Sequence, residues 1–422
     1  MVSKLPQGWV ECVLGDVLYL QNGYAFNSKD YCDNGICVIR ISDIQNNKVN
    51  TKNAVKYNKM DIGKCYIVEN GDFLLAMSGA TTGKTGVYCE KSPAYLNQRV
   101  GNLKIYSQKV LCQKYRNYYI MYKRFAIEKK AYGGAQPNIS KQMIESLRLL
   151  LPPLNEQRRI VEKIEEEFGK IDEGVEKLRF ALEQIKQYRQ AVLKSAFDGK
   201  LYKTTEWEEK TLGQILTPRR ERITPNKHNG ELPFIGMDCI MPNSLKIHNS
   251  YKLKNTKSVA FVFYKNDVLY GRMRSYLNKV WQATFDGASS AEFIVFPENK
   301  QITSGFLKYL LHQQTFVKYA TRNASGDRPR VKFEADLAEY KIKLPKIDEQ
   351  NLIVEKIENA FSIVEDLNKI IRQNLDKAEQ LKQSILKKAF EGRLVPQDPN
   401  DEPASVLLEK IKAERKNKCL IS

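Results

Sequence analysis

The sequence predicts an α+β protein in which two related globular domains each precede a long helix, and the two helices pair as an antiparallel intramolecular coiled coil. Three observations lead to this prediction. A segment of 51 residues occurs twice, both copies carry apolar residues at heptad spacing, and strand-like segments precede each copy. We therefore interpret the chain as a tandem duplication with pseudo-twofold symmetry.

The two repeated segments are residues 151–201 and 344–394. They align without a gap at an offset of 193, and 21 of the 51 positions are identical. Both start with Leu-Pro, continue with Glu-Gln and then share Ile-Val-Glu-Lys-Ile. Because a match of this length does not arise by chance, we expect both segments to adopt the same structure.

Residues typical of helix termini flank both repeats. Asn155 and Asp348 follow prolines and are the expected N-caps. Gly199 and Gly392 stand where a C′ glycine belongs. Each repeat is therefore predicted to be one helix of about 42 residues, roughly 60 Å long.

Apolar residues in each predicted helix recur at alternating steps of three and four, as in a coiled-coil seam. So narrow a stripe needs a partner helix, and the other repeat is the simplest one. Asn368 either fixes the register or is a tolerated polar residue, and Gly169 and Gly174 mark either a bend or a close contact. The expected pairing residues are Ile164, Phe168, Ile171, Val175, Leu178, Leu182 and Ile185 in the first helix, and Ile357, Phe361, Val364, Asn368, Ile371 and Leu375 in the second.

The predicted organisation has five segments: a globular domain at 1–150, a helix at 151–201, a second globular domain at 202–343, a second helix at 344–394, and a tail with a short helix at 395–422. Strand-like runs at 64–77 and 259–273 surround a turn, and helical patterns follow at about 108–130 and 303–320. The sequences of the two globular segments are alike at only a few anchor positions, whereas the sequences of the two helices are alike over their whole length. We therefore expect a shared scaffold that carries two domains with different recognition properties.

The charge of the chain favours a polyanionic partner. It has 68 Lys and Arg residues against 49 Asp and Glu, a net charge of +19, and the alternative is a soluble basic protein without such a partner. Eight cysteines form no C-x-x-C pair, the three histidines lack ligand spacing, and neither a signal peptide nor a membrane span is visible. Reduced thiols, no metal and a cytoplasmic location are the expectation.

Arginine pairs stand beside glycine or proline in the second globular domain, in contexts typical of loops. Their guanidinium fork fits guanine O6 and N7 as well as phosphate oxygens. A solvated surface role is the commoner one for any single residue, but recurrence of the pairs favours DNA contact for the group. The candidates are Arg219, Arg220, Arg222, Arg272, Arg274, Arg328 and Arg330, together with Lys279.

The first globular domain offers more amides and hydroxyls and fewer cations. Amide side chains suit adenine edges. A solvated surface role is again the alternative for each residue. The candidates for DNA contact are Tyr24, Thr81, Thr82, Lys84, Arg99, Gln136 and Asn138.

Residues 77–86, MSGATTGKTG, look like a nucleotide-binding loop but do not fit its pattern. A Walker loop needs G-x-x-x-x-G-K-[ST], and the place of its first glycine is taken by Ser78. At the corresponding place in the second domain Lys279 keeps the lysine, while Arg274 and Asn278 replace two glycines. We therefore expect the lysine at this place, Lys84 in the first domain, to contact a DNA phosphate. We expect no active site in the chain.

Several motifs of the chain resemble those of one family. They are the repeated L-P-x-[LI]-[ND]-E-Q-x-x-I-V-E-K-I, GGAQPNI before the first copy, LVPQDPNDEPASVLLEKIKAER after the second, LPQGWVECVLGDV at the start, and SGATTGKTG. Over essentially its whole length the chain resembles the specificity (S) subunits of type I restriction-modification systems. The second domain departs from the pattern, with RMRSYLNKV in place of the glycine-rich loop and SGDRPRV in place of GGAQPNI.

This resemblance implies two target-recognition domains that each read one half of a bipartite, asymmetric site in double-stranded DNA. It implies that the helices set the spacing of the half-sites and dock two methyltransferase subunits, which use S-adenosylmethionine to methylate adenine N6. Motor-nuclease subunits, where present, would use ATP and Mg²⁺. The chain itself would be non-catalytic and would bind no cofactor and no membrane. The alternative is a coiled-coil DNA-binding regulator or scaffold without methyltransferase partners.

Overall fold

The computed structural model describes residues 5–45, 47–58, 66–131, 138–201, 207–225 and 231–419. Contacts divide the chain into two units, Met1–Glu176 with Leu375–Ser422, and Lys177–Asn374. Each unit therefore contains one globular domain together with parts of both long helices. Among the described residues, no helix is long and apolar enough to cross a membrane.

The first globular domain consists of short strands in three sheets, with two helices. Its strands are β1 (Val10–Val13), β2 (Leu18–Asn22), β3 (Tyr31–Cys32), β4 (Ile36–Ile39), β5 (Ile44–Gln45), β6 (Asn47–Val49), β7 (Lys56–Tyr57), β8 (Ile67–Val68), β9 (Phe73–Ala76), β10 (Thr85–Val87), β11 (Ala94–Leu96), β12 (Val100–Ile105) and β13 (Arg148–Leu151). The sheet orders are β2-β12-β9-β10-β6-β5, β3-β7-β4-β11-β8 and β1-β13. The helices are α1 (Gln113–Ala131) and α2 (Lys141–Glu145), and the long helix α3 (Leu154–Phe197) follows β13.

The second globular domain repeats part of this topology. Its strands are β14 (Glu208–Thr211), β15 (Arg222–Ile223), β16 (Pro233–Ile235), β17 (Tyr251–Lys252), β18 (Ala260–Phe263), β19 (Val268–Gly271), β20 (Val280–Gln282), β21 (Gly287–Ser289), β22 (Phe293–Phe296) and β23 (Lys341–Leu344). Its helices are α4 (Leu212–Ile215), α5 (Ser304–His312) and α6 (Gln314–Asn323), followed by the long helix α7 (Ile347–Phe390) and the tail helix α8 (Ala404–Cys419). The order β20-β19-β22 corresponds to β10-β9-β12, and β14-β23 corresponds to β1-β13.

The strand-like runs at 64–77 and 259–273 give β8 with β9 and β18 with β19. In both domains the two strands that flank the turn belong to different sheets. A buried carboxylate closes each turn, because Asp72 accepts from Glu69 N (2.9 Å) and Asp267 accepts from Tyr264 N (2.9 Å). The helix expected at 303–320 is two helices, since Gln313 between α5 and α6 has extended backbone angles.

The predicted N-caps of the long helices are wrong. Helix α3 begins at Leu154 and α7 at Ile347, so Asn155 and Asp348 lie inside the first turn. In α3 the carbonyl of Pro153 already accepts the first i to i+4 bond, from Gln157 N at 2.9 Å. The Asn155 side chain instead accepts from Arg158 Nη1 (3.2 Å).

The predicted C′ glycines are confirmed. Gly199 and Gly392 have φ values of +73° and +70°. In α3, Lys200 N donates to Ser195 O (2.9 Å), which is the 6→1 bond of a Schellman motif. Arg393 N makes the equivalent bond at the end of α7.

In the first unit, the N-terminal part of α3 packs against the C-terminal part of α7. Ile164 shares a buried apolar cluster with Ile385 and Leu386. Asp172 Oδ1 lies 2.5 Å from Lys382 Nζ. Residues early in one helix therefore meet residues late in the other, as antiparallel pairing requires.

In the second unit the roles of the two helices are exchanged. Val192 and Leu193, near the end of α3, share a cluster with Ile357 and Phe361 of α7. The Arg189 guanidinium lies 4.3 Å from the Phe361 ring centroid. The predicted antiparallel coiled coil is confirmed.

All predicted pairing residues in the two long helices are buried or half-buried. Gly169 and Gly174 behave differently from the seam residues. An added Cβ at either glycine would meet no described atom within 4 Å. Neither glycine therefore marks a close contact within the described part of the chain.

A buried glutamine ties the start of each long helix to its globular domain. The amide of Gln157 donates to Val110 O (2.9 Å) and Pro152 O (3.0 Å) and accepts from Cys112 N (2.8 Å). Gln157 is the glutamine of the repeated Glu-Gln. The repeated motif thus encodes a joint as well as a helix.

Gln350 makes the equivalent three bonds in the second unit. Its amide donates to Gln301 O (2.9 Å) and Pro345 O (2.9 Å) and accepts from Thr303 N (2.8 Å). Both glutamines are fully buried. Each therefore satisfies three backbone groups that water does not reach.

The tail packs on the first globular domain. Leu407, Leu408 and Ile411 of α8 join the buried cluster that contains Cys12 of β1. In the second domain β14 carries the charged Lys210 at the place of Cys12. The apolar surface for a tail helix is thus specific to the first domain.

Replacing Gln350 by alanine is expected to lower the free energy of unfolding by about 3 kcal/mol or more, because three buried backbone groups lose their partner. Urea denaturation measures this change. Gln187→Ala, at an exposed position of α3, is the matched control and should alter stability by less than about 0.5 kcal/mol. Equal stability of the two variants would contradict the assigned role of Gln350.

Candidate nucleic-acid interface

Three segments of the first globular domain meet through backbone hydrogen bonds. Met77 N donates to Arg99 O (2.9 Å), and Ile139 N donates to Met77 O (2.7 Å). Gln98 N also donates to Tyr24 O (2.8 Å). We call residues 77–84, 97–99 and 138–139 the first junction. It brings together Lys84, Arg99 and Asn138, which the sequence separates, and Tyr24 is joined to it through Gln98.

The second globular domain builds the same arrangement. Arg272 N donates to Glu292 O (2.9 Å), and Val331 N donates to Arg272 O (3.0 Å). We call residues 272–279, 290–292 and 330–331 the second junction. Arg274 N donates to Pro329 O (2.7 Å), which brings the arginine pairs of two distant segments together.

The loops of the two junctions have positive φ at the same two positions despite different residues. Gly79 and Gly83 have φ values of +80° and +86° in the first domain, and Arg274 and Asn278 have +53° and +47° in the second. A left-handed conformation costs an arginine roughly 1–2 kcal/mol. Arg274 and Asn278 therefore keep the two positive φ angles without glycine, which adds strain at Arg274.

The surroundings of residues 77–86 differ from those of a Walker loop. A Walker loop leads from a strand into a helix. Here Thr85 opens strand β10, which pairs antiparallel with β9, Thr85 lying opposite Leu75. The loop is therefore the connection of a β-hairpin.

Arg219 is the counterion of a buried carboxylate. Its Nε and Nη2 lie 2.9 and 3.1 Å from the two carboxylate oxygens of Asp267, which is almost fully buried. In the first domain Lys104 plays this part for Asp72, at 2.6 Å. The fork of Arg219 is thus occupied, which argues against the DNA contact that we predicted for it.

Two adjoining clefts gather most of the other arginines of the second domain. A cleft of about 480 Å³ is lined by Arg272, Arg328, Arg330 and Lys332, with Asp327 and Asp336 at its wall. A cleft of about 260 Å³ is lined by Arg219, Arg220, Arg222, Arg272 and Lys332. Arg272 and Lys332 belong to both clefts, so the clefts form one basic surface.

The cations of this surface differ in how strongly they are neutralised. Arg220 pairs with Glu334 at the exposed surface, and Arg222 lies 5.5 Å from the Phe261 ring centroid. Arg272 Nε is buried and has no hydrogen-bond partner among the described residues. Arg272 therefore has a buried guanidinium nitrogen that the described part of the chain leaves without a partner.

The paired lysines of the two loops have different surroundings. Lys279 is buried, and its Nζ donates to Met237 O (2.6 Å). Burial lowers the pKa of Lys279. Lys84 is half-buried, and the described residues give its ammonium no hydrogen bond or ion pair. Of the two predicted phosphate contacts, Lys84 is the accessible one and Lys279 is occupied.

Of the remaining candidates of the first domain, some side chains are exposed and others already form hydrogen bonds within the protein. Tyr24, Arg99 and Asn138 are exposed. Thr82 is buried and donates to Gly79 O (2.6 Å), so it stabilises the loop. The Thr81 hydroxyl donates to Ile41 O (3.3 Å). Gln136 lies outside the described residues.

Sequence reasoning missed Glu292 of the second junction and Lys332 of the basic surface beside it. Glu292 forms a bidentate ion pair with Arg330, with Nη2 2.7 Å from Oε1 and Nε 2.9 Å from Oε2. Glu292 stands at the place of Arg99, and alignment of the two halves would have identified it. Lys332 follows the Arg-Pro-Arg segment. The argument that selected basic residues in loop-like segments could have selected it too.

No candidate metal cluster occurs among the described residues, and the six cysteines whose side chains are described are free. His312 is a buried structural residue, and burial lowers its pKa to about 4. Its carbonyl accepts from Asn278 Nδ2 (2.9 Å), which supports the loop of the second junction.

The fold and its two junctions define a class of protein with two homologous binding domains that carry different side chains on a helical scaffold. The family model described as "Type I restriction modification DNA specificity domain" matches residues 6–177 and 204–377. The chain belongs to this family. Each match covers one globular domain and the start of the helix that follows it.

Similar proteins include two from Escherichia coli. The specificity subunit of type I restriction enzyme EcoDI is 29% identical over 331 residues, covering 68% of this chain and 73% of that protein. The EcoBI specificity subunit is 26% identical over 463 aligned positions, covering 98% and 93%. A solved chain from work on assembly and conformational transition of the type I R-M system has a TM-score of 0.72 at 19% identity, covering 93% and 100%. This last likeness supports the fold.

Replacing Arg274 by glycine is expected to raise the free energy of unfolding by up to about 1 kcal/mol, because glycine relieves the left-handed strain. The same change should weaken DNA binding, since one exposed guanidinium is lost. Urea denaturation and DNA titration measure the two effects. Arg328→Gly is the control, because Arg328 has no positive φ and should lose stability instead. A loss of stability in both variants would refute strain at Arg274.

Proposed function

We propose that the chain is the non-catalytic DNA-recognition and assembly subunit of a type I restriction-modification complex. Each globular domain reads one half of a bipartite, asymmetric site in double-stranded DNA. One observation carries the proposal: both domains build the same junction but fill it with different side chains. Met77, Arg99 and Asn138 occupy the first junction where Arg272, Glu292 and Arg330 occupy the second.

The charge of the junctions supports DNA as the partner. Lys84 and Arg99 at the first junction and Arg272, Arg274 and Arg328 at the second supply cations for phosphates and base edges. Phosphate contacts fix the position of a protein on the duplex, whereas base contacts give sequence specificity. Two unlike sets of side chains on one repeated backbone suit two unlike half-sites.

The paired helices set the spacing of the half-sites and dock two methyltransferase subunits. These subunits bind S-adenosylmethionine and methylate adenine N6, and a motor-nuclease subunit, where present, binds ATP and Mg²⁺. The complex acts in the cytoplasm. Exposed Ile363, Leu367 and Ile370 of α7 support docking on the helices, because their spacing places them on one face.

The competing proposal is a DNA-binding regulator or scaffold without methyltransferase partners. It shares the junctions and the coiled coil with the favoured function. The exposed apolar face of α7 favours an assembly subunit, since monomeric proteins rarely leave such a face uncovered.

Loop variants of the two domains are expected to affect different half-sites. Arg272→Ala should cost about 1–3 kcal/mol at positions of one half-site if its fork contacts a base. Lys84→Ala should weaken binding at all sequences and reduce the salt slope by about 1. Binding to DNA libraries randomised in both half-sites, at several salt concentrations, measures both effects.

Arg148→Ala is the matched control for these loop variants. Arg148 is exposed and pairs with Glu11 across the β1-β13 sheet, away from the junction segments. Its replacement should leave both half-sites and the salt slope unchanged. Equal effects of Arg272→Ala on both half-sites would contradict one-domain, one-half-site recognition.

Docking is tested by a charge on the exposed face of α7. Ile363→Asp combined with Ile370→Asp should weaken co-purification with the methyltransferase subunit by at least about tenfold, because two apolar contacts are lost. Ser362→Asp, an exposed neighbour on another side of the helix, is the control and should assemble normally. Failure of the unaltered chain to co-purify would favour the regulator or scaffold.

A further inference from the structure

The ion pair between Arg330 and Glu292 leaves a defined part of the guanidinium available. Nε of Arg330 lies 2.9 Å from Oε2 of Glu292, and Nη2 lies 2.7 Å from Oε1. The carboxylate therefore occupies the side edge of the guanidinium. Nη1 has no hydrogen-bond partner among the described residues.

The available end edge presents the Nη1 and Nη2 hydrogens as two parallel donors. Guanine O6 and N7 are two acceptors that match such an edge, and this is the commonest specific arginine contact in the major groove. A guanidinium held on its side edge keeps a fixed direction, because the second edge cannot turn away without breaking both bonds to the carboxylate.

The geometry points to Arg330 as a guanine-reading residue of the second domain, with Glu292 as its positioning residue. This inference rests on the proposed function, and it adds the base that the second half-site must contain. Arg330 lines the larger cleft beside Arg272, where a base edge can approach it.

The carboxylate makes a base a better ligand than a phosphate at this place. Hydrogen bonding to Arg330 lowers the pKa of Glu292, so the carboxylate is ionised at neutral pH. A negative charge directly behind the guanidinium reduces its attraction for phosphate. The neutral edge of guanine does not meet that repulsion.

The first domain has different side chains at the equivalent places. Asn138 stands where Arg330 stands, and Arg99 stands where Glu292 stands. Arginine cannot orient an asparagine as a carboxylate orients a guanidinium. The guanine-reading pair is therefore specific to the second domain.

The test uses the full chain assembled with its methyltransferase partners and duplex DNA randomised at both half-sites. The half-site that changes in Arg272→Ala identifies the part read by the second domain. That half-site should contain a guanine whose preference falls about 5- to 150-fold in Arg330→Ala and in Arg330→Lys. Arg330→Lys should keep the salt slope, because the charge remains while the fork is lost.

Glu292→Gln gives a readout that a merely structural role would not produce. Guanine discrimination should fall while affinity for unrelated DNA rises, since a negative charge leaves the surface. Glu209→Gln, which removes an exposed pair with Lys341 in the β14-β23 sheet, is the control and should change neither.

Retention of the guanine preference in Arg330→Lys, or absence of guanine from that half-site, would overturn the inference and leave the proposed function standing. A chain whose assembled complex shows no preference at either half-site would overturn the proposed function itself.

Discussion

Each globular domain is fixed to its long helix by one buried amide side chain. Gln157 and Gln350 each satisfy three backbone groups at the point where the last strand of a domain passes into the helix. Removing such a side chain leaves buried donors and acceptors without a partner. This lowers the free energy of unfolding by far more than one exposed hydrogen bond contributes to it. The direction in which each domain leaves its helix therefore depends on this joint, and the repeated motif preserves it in both halves.

The two junctions share their backbone connections but differ in their side chains. Both domains use the same connections among three segments, including left-handed positions that glycine fills in the first and Arg274 and Asn278 fill in the second. Because the backbone hydrogen bonds define the junction, its side chains can change without loss of fold. Strain at Arg274 is tolerated at an exposed loop, where backbone strain commonly accompanies function. This division explains why the helices agree closely in sequence and the globular domains do not.

Prediction from the sequence succeeded where the pattern was local. Heptad spacing identified the seam, and Gly199 and Gly392 marked both C-termini, since a left-handed C′ residue needs glycine. The N-caps failed because the carbonyls of Pro153 and Lys346 already accept helical hydrogen bonds, so each helix starts one residue before Asn155 or Asp348. The candidate binding residues were chosen by residue type and loop context, and those properties do not show which cations already have partners.

The tandem duplication follows from comparing the two halves of the sequence, and the coiled coil follows from the periodicity of its apolar residues. Whether each cation already has a partner within the protein depends on contacts between distant segments. Arg219 neutralises Asp267, the Lys279 ammonium is held by a backbone carbonyl, and Glu292 orients Arg330. Since the energy of a buried or half-buried charge depends on its partner and its desolvation, only the tertiary structure distinguishes the cations that can meet DNA from those that hold the domains together.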